Sequence, residues 1–354
     1  MDIVWRSTFK KDELSWTSVT TMSANGPVMQ IDPPTSNRLD AEPSADASAS
    51  PSLLPDRPIP WFIRARIAFV RGFLMTYARC FGLSGLYKLG QAFATLEYLS
   101  DYKRRRRVDR KLVQYFHDDF TPAQRRRITW RYFMRVRCDK MFYTIMDRIP
   151  RAKLMNRIKP KGQEYVDAAL SDGKGVYIAL CHFGAAHVAG LMGALLGYDI
   201  AGVRDGRESH VRRYIQKKYR DTFPEVAKMN IVLASSFPRM LYRHLKKNGV
   251  VASLLDVERQ RGDNTKTVPV TLFGETRNIL AGPVQIALRN GAPTIQGFVV
   301  SRRNFYYQLI VTPPLLTPEQ AQGDEDAAIA NTLQRYAAGV EAFARRHPDH
   351  LMNI

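Results

Sequence analysis

The sequence predicts an α/β fold in which a mostly parallel central sheet is flanked by helices and preceded by an N-terminal helical region. From about residue 160 onward, short apolar segments alternate with longer segments of helical periodicity. The apolar segments are continuous runs, which is typical of strands that are buried on both faces of a parallel sheet. Residues 61–150, by contrast, show helical patterns.

The individual elements follow from these patterns. Strands are predicted at seven apolar segments: Val176–Leu180, Asp199–Val203, Ile231–Ala234, Val250–Leu255, Val268–Phe273, Thr294–Val300 and Tyr306–Thr312. Helices are predicted between and after them, at Gly162–Ser171, Ala186–Leu196, Glu208–Tyr219, Pro238–Lys247, Gly282–Arg289 and from Thr317 to about Arg346.

Composition divides the chain into three regions. Residues 1–58 are rich in Pro, Ser, Ala and Asp and are predicted to be a disordered tail, because they hold too little apolar content to order themselves. Residues 59–150 are predicted to form the helical region, and residues 151–354 the α/β core. Within the helical region, Thr121–Gln124 spells a capping box with proline at the first helical position, which predicts a helix reaching Asp147.

The 354-residue chain carries a formal charge of +20, and residues 1–58 hold five basic against eight acidic side chains. The positive charge therefore belongs to the remainder, with runs at Lys103–Arg107 and Arg125–Arg127. Such a field attracts nucleic acid, anionic lipid or phosphorylated substrates. The basic runs lack interleaved aromatic residues and no nucleic-acid-binding module is visible, so nucleic-acid binding is disfavoured. The runs suit an anionic membrane surface instead.

The segment Trp61–Gly82 is the best candidate for a membrane-interacting helix, although its charge excludes a spanning helix. On a helical wheel, Arg64, Arg71 and Arg79 fall within about 80° of one another. The pattern predicts a helix lying in a membrane interface with these arginines among the headgroups. The alternative is a core helix whose arginines form a solvated edge. The N-terminus shows no secretory signal, since a basic segment followed by an apolar one is missing.

His182 is the first candidate for chemistry. It follows the buried strand Val176–Leu180 at its carboxyl end, where open α/β sheets bind their ligands, and three small residues follow. Histidine in this position suits general-base work, with a structural role as the alternative. Cys181 would point to the opposite face of the strand, which argues against a Cys–His pair. The step from His182 to His187, with no matching third ligand, argues against a zinc site.

A resemblance to a known family rests on the order of several blocks. These are "HFGAAH" (182–187), "VRDGRESH" (203–210), "LLDVERQRG" (254–262), "PVTLFGETRNILAGPVQIALRNGAPTIQGFVV" (269–300) and a terminal helix that ends in "HPDHLMNI" (347–354). Upstream, "LYKLGQAFATLEYLSDYKRRRRVDRKLV" (86–113) completes the pattern. Over about residues 60–354 the chain resembles the lipid A late acyltransferase family, the lauroyl/myristoyl branch of the glycerolipid acyltransferase superfamily.

The resemblance implies a membrane-associated transferase. It would move a fatty acyl chain from a thioester on acyl carrier protein or coenzyme A to a lipid or glycolipid hydroxyl, with a lipid A-type acceptor expected. The implied location is the cytoplasmic face of the bacterial inner membrane, as a peripheral or interfacial protein among anionic lipids. No cofactor besides the thioester co-substrate is expected, and neither a metal nor a nucleic-acid partner.

The family signature is a histidine, four residues and then Asp or Glu. Carried over, the base falls on His182, while the acidic position falls on His187, which departs from the family pattern. Three further residues fall on blocks of the family, namely Arg204, Asp256 and Gly282. Substrate binding is expected at these residues and at Arg207 and Glu258, which lie beside them in the sequence. The tail lacks the Trp and Arg typical of the family's end, a second departure.

His187 leaves three possibilities open, because a neutral histidine supplies no negative charge to a protonated partner. Another acid, Asp205, Asp256 or Glu258, replaces the missing one. Alternatively, His182 works unaided on a less demanding acceptor. In the third case the protein keeps the fold without the chemistry, as an inactive relative that binds lipid or a partner enzyme.

Overall fold

The computed structural model describes residues 59–204, 209–233, 237–256, 266–321 and 323–350. The disordered tail expected at residues 1–58 lies outside these ranges. Helices in the described part are α1 (Trp61–Ser100), α2 (Tyr102–Phe116), α3 (Pro122–Ile145), α4 (Arg151–Met155), α5 (Gln163–Ser171), α6 (Ala189–Leu195), α7 (His210–Thr222), α8 (Pro224–Ala227), α9 (Phe237–Lys246), α10 (Gly282–Arg289) and α11 (Glu325–Arg346). Strands are β1 (Ile158–Lys161), β2 (Val176–Leu180), β3 (Ile200–Arg204), β4 (Asn230–Leu233), β5 (Val250–Leu254), β6 (Thr267–Leu272), β7 (Glu275–Leu280), β8 (Thr294–Ser301) and β9 (Tyr307–Leu316).

Seven strands form the central sheet in the order β1-β9-β8-β2-β5-β3-β4. The five strands from β8 to β4 are parallel, whereas β9 is antiparallel to β8 and β1 pairs with β9. The predicted α/β class with a mostly parallel sheet is thus confirmed. β1 was missed because an edge strand reading Ile-Lys-Pro-Lys, exposed at its last three positions, has no apolar run.

The predicted strand at Val268–Phe273 lies outside the central sheet. It is β6, which pairs with β7 in a separate antiparallel hairpin. Phe273 and Gly274 form the two-residue turn, with φ of +53° and +75°. Two consecutive residues at positive φ are the requirement of the tight turn whose twist matches a hairpin. The alternating burial of β6, unlike the continuous burial of β8, is the pattern of a strand with one solvated face.

The helical region begins with α1, which is far longer than the predicted Trp61–Gly82 segment. The helix breaks at Gly82, where φ is +67° and ψ is 177°, and then resumes to Ser100. The predicted capping box at the start of α3 is present: the Thr121 side chain accepts the Gln124 amide and the Gln124 side chain accepts the Thr121 amide. Across the described ranges, no helix combines the length and the apolar character that a membrane span requires.

The prediction that Arg71 lies among lipid headgroups is wrong. Its side chain is 5% exposed and forms an ion pair of 2.6 Å with Asp147, which is 2% exposed. Its second terminal nitrogen donates to the Thr144 carbonyl at 2.6 Å. Arg71 therefore packs against the end of α3, because a buried guanidinium requires a carboxylate and further acceptors. Arg64 and Arg79 remain exposed.

The two faces of the sheet are covered by different helices. On one face, Tyr177 and Ala179 of β2 pack in a cluster with residues of α10 and α11. On the other face, Leu180 packs in a cluster with residues of α6, α7 and α8. Because β2, β5 and β3 are adjacent and parallel, their carboxyl ends lie side by side at one edge of the sheet. This edge carries the candidate site.

Candidate active site

His182 and Asp256 form a side-chain pair at the carboxyl edge of the sheet. His182 Nδ1 lies 2.9 Å from Asp256 Oδ1, and the backbone N–H of His182 donates to Asp256 Oδ2 at 2.6 Å. A carboxylate accepts hydrogen bonds only, so Nδ1 carries the proton in this pair and Nε2 presents its lone pair. The side chains are 26% and 20% exposed, which leaves them accessible to a substrate. The pair can remove a proton at Nε2 while the carboxylate fixes the tautomer.

The local backbone explains why the pair forms there. β2 and β5 are hydrogen bonded in register up to Leu180 and Leu254, and the Leu255 amide donates to the Leu180 carbonyl. The backbone ladder ends at this point, and the Asp256 carboxylate accepts the next amide, that of His182. One side chain thus closes the ladder and holds the imidazole. The two residues are 74 positions apart in the chain.

His187 lies in a different environment. Its half-buried ring contacts Tyr143 of α3 edge-on, with 5.3 Å between ring centroids. Burial lowers the pKa of His187 to about 4; Asp139 opposes this effect, whereas Arg212, Arg135 and Lys140 reinforce it. His187 is therefore neutral near pH 7. Within the described residues, no hydrogen bond or ion pair joins it to His182.

The loop between the two histidines is held by the C-terminal segment. Gly184 donates its amide to the His350 carbonyl at 2.7 Å, and Ala185 donates to the Val299 carbonyl at 2.9 Å. Gly184 has φ of +70°, and a Cβ there would lie 2.0 Å from the Val299 carbonyl oxygen. A residue without a side chain is thus required at this position.

A buried polar network in turn holds the C-terminal segment. Arg135 donates to the Asp349 carbonyl at 2.8 Å, and His350 Nε2 accepts the Ser301 amide at 3.1 Å. Asp139 accepts from the hydroxyls of Ser301 at 2.6 Å and Tyr307 at 3.1 Å. Every partner is a buried or half-buried group satisfied by another, so this network fixes the position of the chain end against α3 and β8.

The remaining predicted residues are distributed as follows. Arg204 is the last residue of β3, the strand next to β5, and Gly282 is the first residue of α10. Arg207, Glu258 and the alternative acid Asp205 lie outside the described residues. Cys181 is buried, and its burial, reinforced by the Asp256 carboxylate, raises the pKa of the thiol well above its usual value. A thiol in this state is a poor nucleophile.

An apolar crevice lies on one face of the sheet, with a cavity volume of about 40 Å³. Ile178 and Leu180 of β2 line it, and His182 is two residues further along the same alternation. Helix α6 closes it with two glycines. At one of them, Gly193, a Cβ would lie 2.4 Å from Ile200 Cδ1. The glycine thus lets α6 pack directly against Ile200 of β3.

Several residues around the site were missed from the sequence. Tyr336 of α11 donates its hydroxyl to the Leu180 carbonyl at 2.9 Å, and Arg135, Asp139 and His350 build the network described above. The sequence feature that could have identified them is a polar group at an otherwise apolar helical position, as for Tyr336 between Leu333 and Ala337. That feature does not show which residue the polar group bonds to.

A histidine held at Nδ1 by a carboxylate, at the carboxyl edge of a parallel sheet, defines the class: an α/β protein equipped for general-base transfer chemistry. The chain belongs to the bacterial lipid A biosynthesis acyltransferase family, whose family model matches residues 62–354. It is an acyltransferase of lipid A-type acceptors, and enzymes of this family are membrane-associated. Comparison with curated proteins finds no matching sequence.

Proposed function

We propose that the protein transfers a fatty acyl chain from an acyl carrier protein or coenzyme A thioester to a hydroxyl of a lipid A-type glycolipid, with His182 as general base and Asp256 as its orienting acid. The observation that carries this proposal is the two-point contact between His182 and Asp256, at 2.9 Å and 2.6 Å. Asp256 was expected to bind substrate; in the proposed mechanism its carboxylate serves His182 instead.

In the proposed reaction one proton is transferred and returned, and an ester C–O bond replaces the thioester C–S bond. Nε2 of His182 accepts the proton of the acceptor hydroxyl as its oxygen attacks the thioester carbonyl carbon. The C–S bond then breaks, and the imidazolium returns the proton to the departing thiolate. Asp256 stabilises the imidazolium between the two steps, which is the role of the aspartate in a serine triad, with the substrate hydroxyl as the nucleophile. The residues of the chain supply this acid–base chemistry without a metal or cofactor.

The acceptor and the acyl chain have candidate positions. Arg204 ends the strand next to that of Asp256, so we propose that it binds an anionic group of the acceptor together with Arg207. Glu258 and Gly282 are proposed to bind substrate as well. The apolar crevice lined by Ile178 and Leu180 is the proposed entry for the acyl chain, and at about 40 Å³ it must widen to hold one.

We further propose that α1 docks the protein on the cytoplasmic face of the inner membrane. Its outer side carries Phe62, Phe69 and Phe73, which are 58%, 73% and 48% exposed and lie on one face of the helix. The exposed Arg64 and Arg66 accompany them. Exposed aromatic residues beside arginines suit an anionic interface, whereas a solvated helix seldom exposes so many large apolar side chains.

Acyl transfer can be tested with full-length protein in detergent, lauroyl-acyl carrier protein or lauroyl-coenzyme A, and a tetra-acylated lipid A precursor. Mass spectrometry should show the precursor gaining one lauroyl chain. His182→Ala should abolish the gain, while the exposed Lys228→Ala should retain it. Wild-type rates in His182→Ala would contradict the proposed base, and unchanged precursor with both donors would contradict the proposed reaction.

A further inference from the structure

Tyr336 is a buried tyrosine whose hydroxyl lies where the strands of His182 and Asp256 separate. It belongs to α11, more than 150 residues from His182 in the chain, and is 0% exposed. Its hydroxyl donates to the Leu180 carbonyl at 2.9 Å, two residues before His182. The same carbonyl accepts the Leu255 amide at 3.0 Å, the last backbone hydrogen bond between β2 and the end of β5. The Tyr336 hydroxyl thus lies at the end of the ladder that joins the two strands.

The position of this hydroxyl matters because the backbone hydrogen bonds between β2 and β5 end at Leu180. Up to Leu180 the two strands are joined by regular backbone hydrogen bonds, of which the last runs from the Leu255 amide to the Leu180 carbonyl. After it, the two strands are connected through the Asp256 carboxylate. The spacing between Leu180 and Asp256 therefore sets the distance from Asp256 Oδ1 to His182 Nδ1.

The helix that carries Tyr336 is itself fixed against the sheet. Gln296 of β8 donates its side-chain amide to the Tyr336 carbonyl at 3.0 Å, and both residues are buried. Three residues along, Gly339 provides the space for Gln296, because a Cβ there would lie 2.1 Å from Gln296 Oε1. The backbone that carries Tyr336 is thus held by β8 as well as by the packing of α11.

We propose that Tyr336 is a positioning residue for the His182–Asp256 pair: its hydroxyl fixes the Leu180 carbonyl, which also accepts the Leu255 amide, and so holds the carboxylate at hydrogen-bonding distance from the imidazole. This inference rests on the proposed catalytic role of that pair. Tyr336 touches neither the imidazole nor the carboxylate, so it acts through the backbone. Its removal should therefore lower turnover and leave substrate binding intact.

Tyr177 provides a matched control. It is also a fully buried tyrosine on this face of the sheet, and its hydroxyl pairs with Ser253 at 2.7 Å, which joins the same two strands. It does so within the paired part of the strands, since Ser253 is in register with Ala179, and it joins two side chains rather than the backbone. Tyr336→Phe and Tyr177→Phe each remove one buried hydroxyl between β2 and β5, and they differ in distance from the pair.

The test is a double-mutant cycle on full-length protein with lauroyl-acyl carrier protein and the tetra-acylated precursor. Tyr336→Phe should lower kcat about 10-fold with KM within about twofold, while Tyr177→Phe should keep kcat within about twofold. In an Asp256→Asn background, Tyr336→Phe should change kcat by less than about twofold, because both act through one contact. Equal kcat for the two Phe variants, or multiplying effects of Tyr336→Phe and Asp256→Asn, would overturn the proposal.

A spectroscopic measurement separates this proposal from the proposed reaction. The ring Nδ1–H of His182 should give a downfield proton resonance that is absent in His182→Gln, whether or not these substrates turn over. We expect this resonance to persist in Tyr177→Phe and to shift or disappear in Tyr336→Phe. An unchanged resonance in Tyr336→Phe would refute the positioning role even if acyl transfer proved correct.

Discussion

At the scale of single residues, His187 is the position where this chain departs from its family's signature. The ring is neutral and packed against Tyr143, so the negative charge near His182 comes from Asp256 instead. Of the three possibilities that the sequence leaves open, the geometry favours replacement by another acid. The sequence identified His182 by its place after a strand, and it offered Asp256 as one of three candidates. The sequence could not show which of the three acids contacts His182, because that depends on the order of the strands in the sheet.

The lowered pKa of His187 predicts a stability change with pH. The pKa is about 4 in the folded protein and about 6.5 when unfolded, so the unfolded chain binds the extra proton first as the pH falls. His187 thus makes the free energy of unfolding decrease between about pH 6.5 and pH 4, by at most about 1.4 kcal/mol per pH unit. His187→Gln should reduce this slope, measured by urea unfolding at several pH values. Identical slopes for both proteins would show that His187 titrates normally.

At the scale of elements, α1 connects the exposed aromatic surface to the α/β core. Periodicity predicted a helix here. It assigned the arginine side, including Arg71, to solvent or lipid, because a charged residue is rarely buried unless it is paired. Asp147, which pairs with Arg71, lies 76 residues away. For the same reason the hairpin of β6 and β7 was missed, since apolar content predicts a strand but not its partner.

The ion pair between Arg71 and Asp147 should contribute strongly to stability. Arg71→Leu leaves a buried carboxylate without its partner, which should reduce the free energy of unfolding by about 3–5 kcal/mol. The double variant Arg71→Leu/Asp147→Leu should recover most of that loss. The exposed Arg64→Leu on the same helix is the control and should change stability by less than about 0.5 kcal/mol. Chemical denaturation measures all three, and equal stability of Arg71→Leu and Arg64→Leu would contradict the buried pairing.

At the scale of the whole molecule, we propose that the charge of +20 and the exposed aromatic face of α1 act together at a membrane. The fold class and the carboxyl-edge location of the site were predictable, because alternation of strands and helices determines both. The polar network that holds the C-terminal segment was not, since it joins α3, β8, β9 and the chain end.

Membrane docking predicts a loss of vesicle binding when the aromatic face is removed. The triple variant Phe62→Ser, Phe69→Ser and Phe73→Ser should bind anionic phospholipid vesicles at least about 100-fold more weakly, because each phenylalanine loses about 1.5–3 kcal/mol of burial. Tyr242→Ser on α9, which packs on β3, β4 and β5, is the control and should bind like wild type. Sedimentation with vesicles measures the difference. Equal binding of the triple variant would place the docking surface elsewhere.

The most direct measurement of the central claim compares acyl-transfer rates of Asp256→Asn and His187→Gln. If Asp256 orients His182, Asp256→Asn should lower kcat about 10³- to 10⁴-fold with a similar KM, as expected when a base loses its orienting carboxylate. His187→Gln, in contrast, should retain kcat within about 10-fold. Near-wild-type turnover in Asp256→Asn, together with collapse in His187→Gln, would contradict the account.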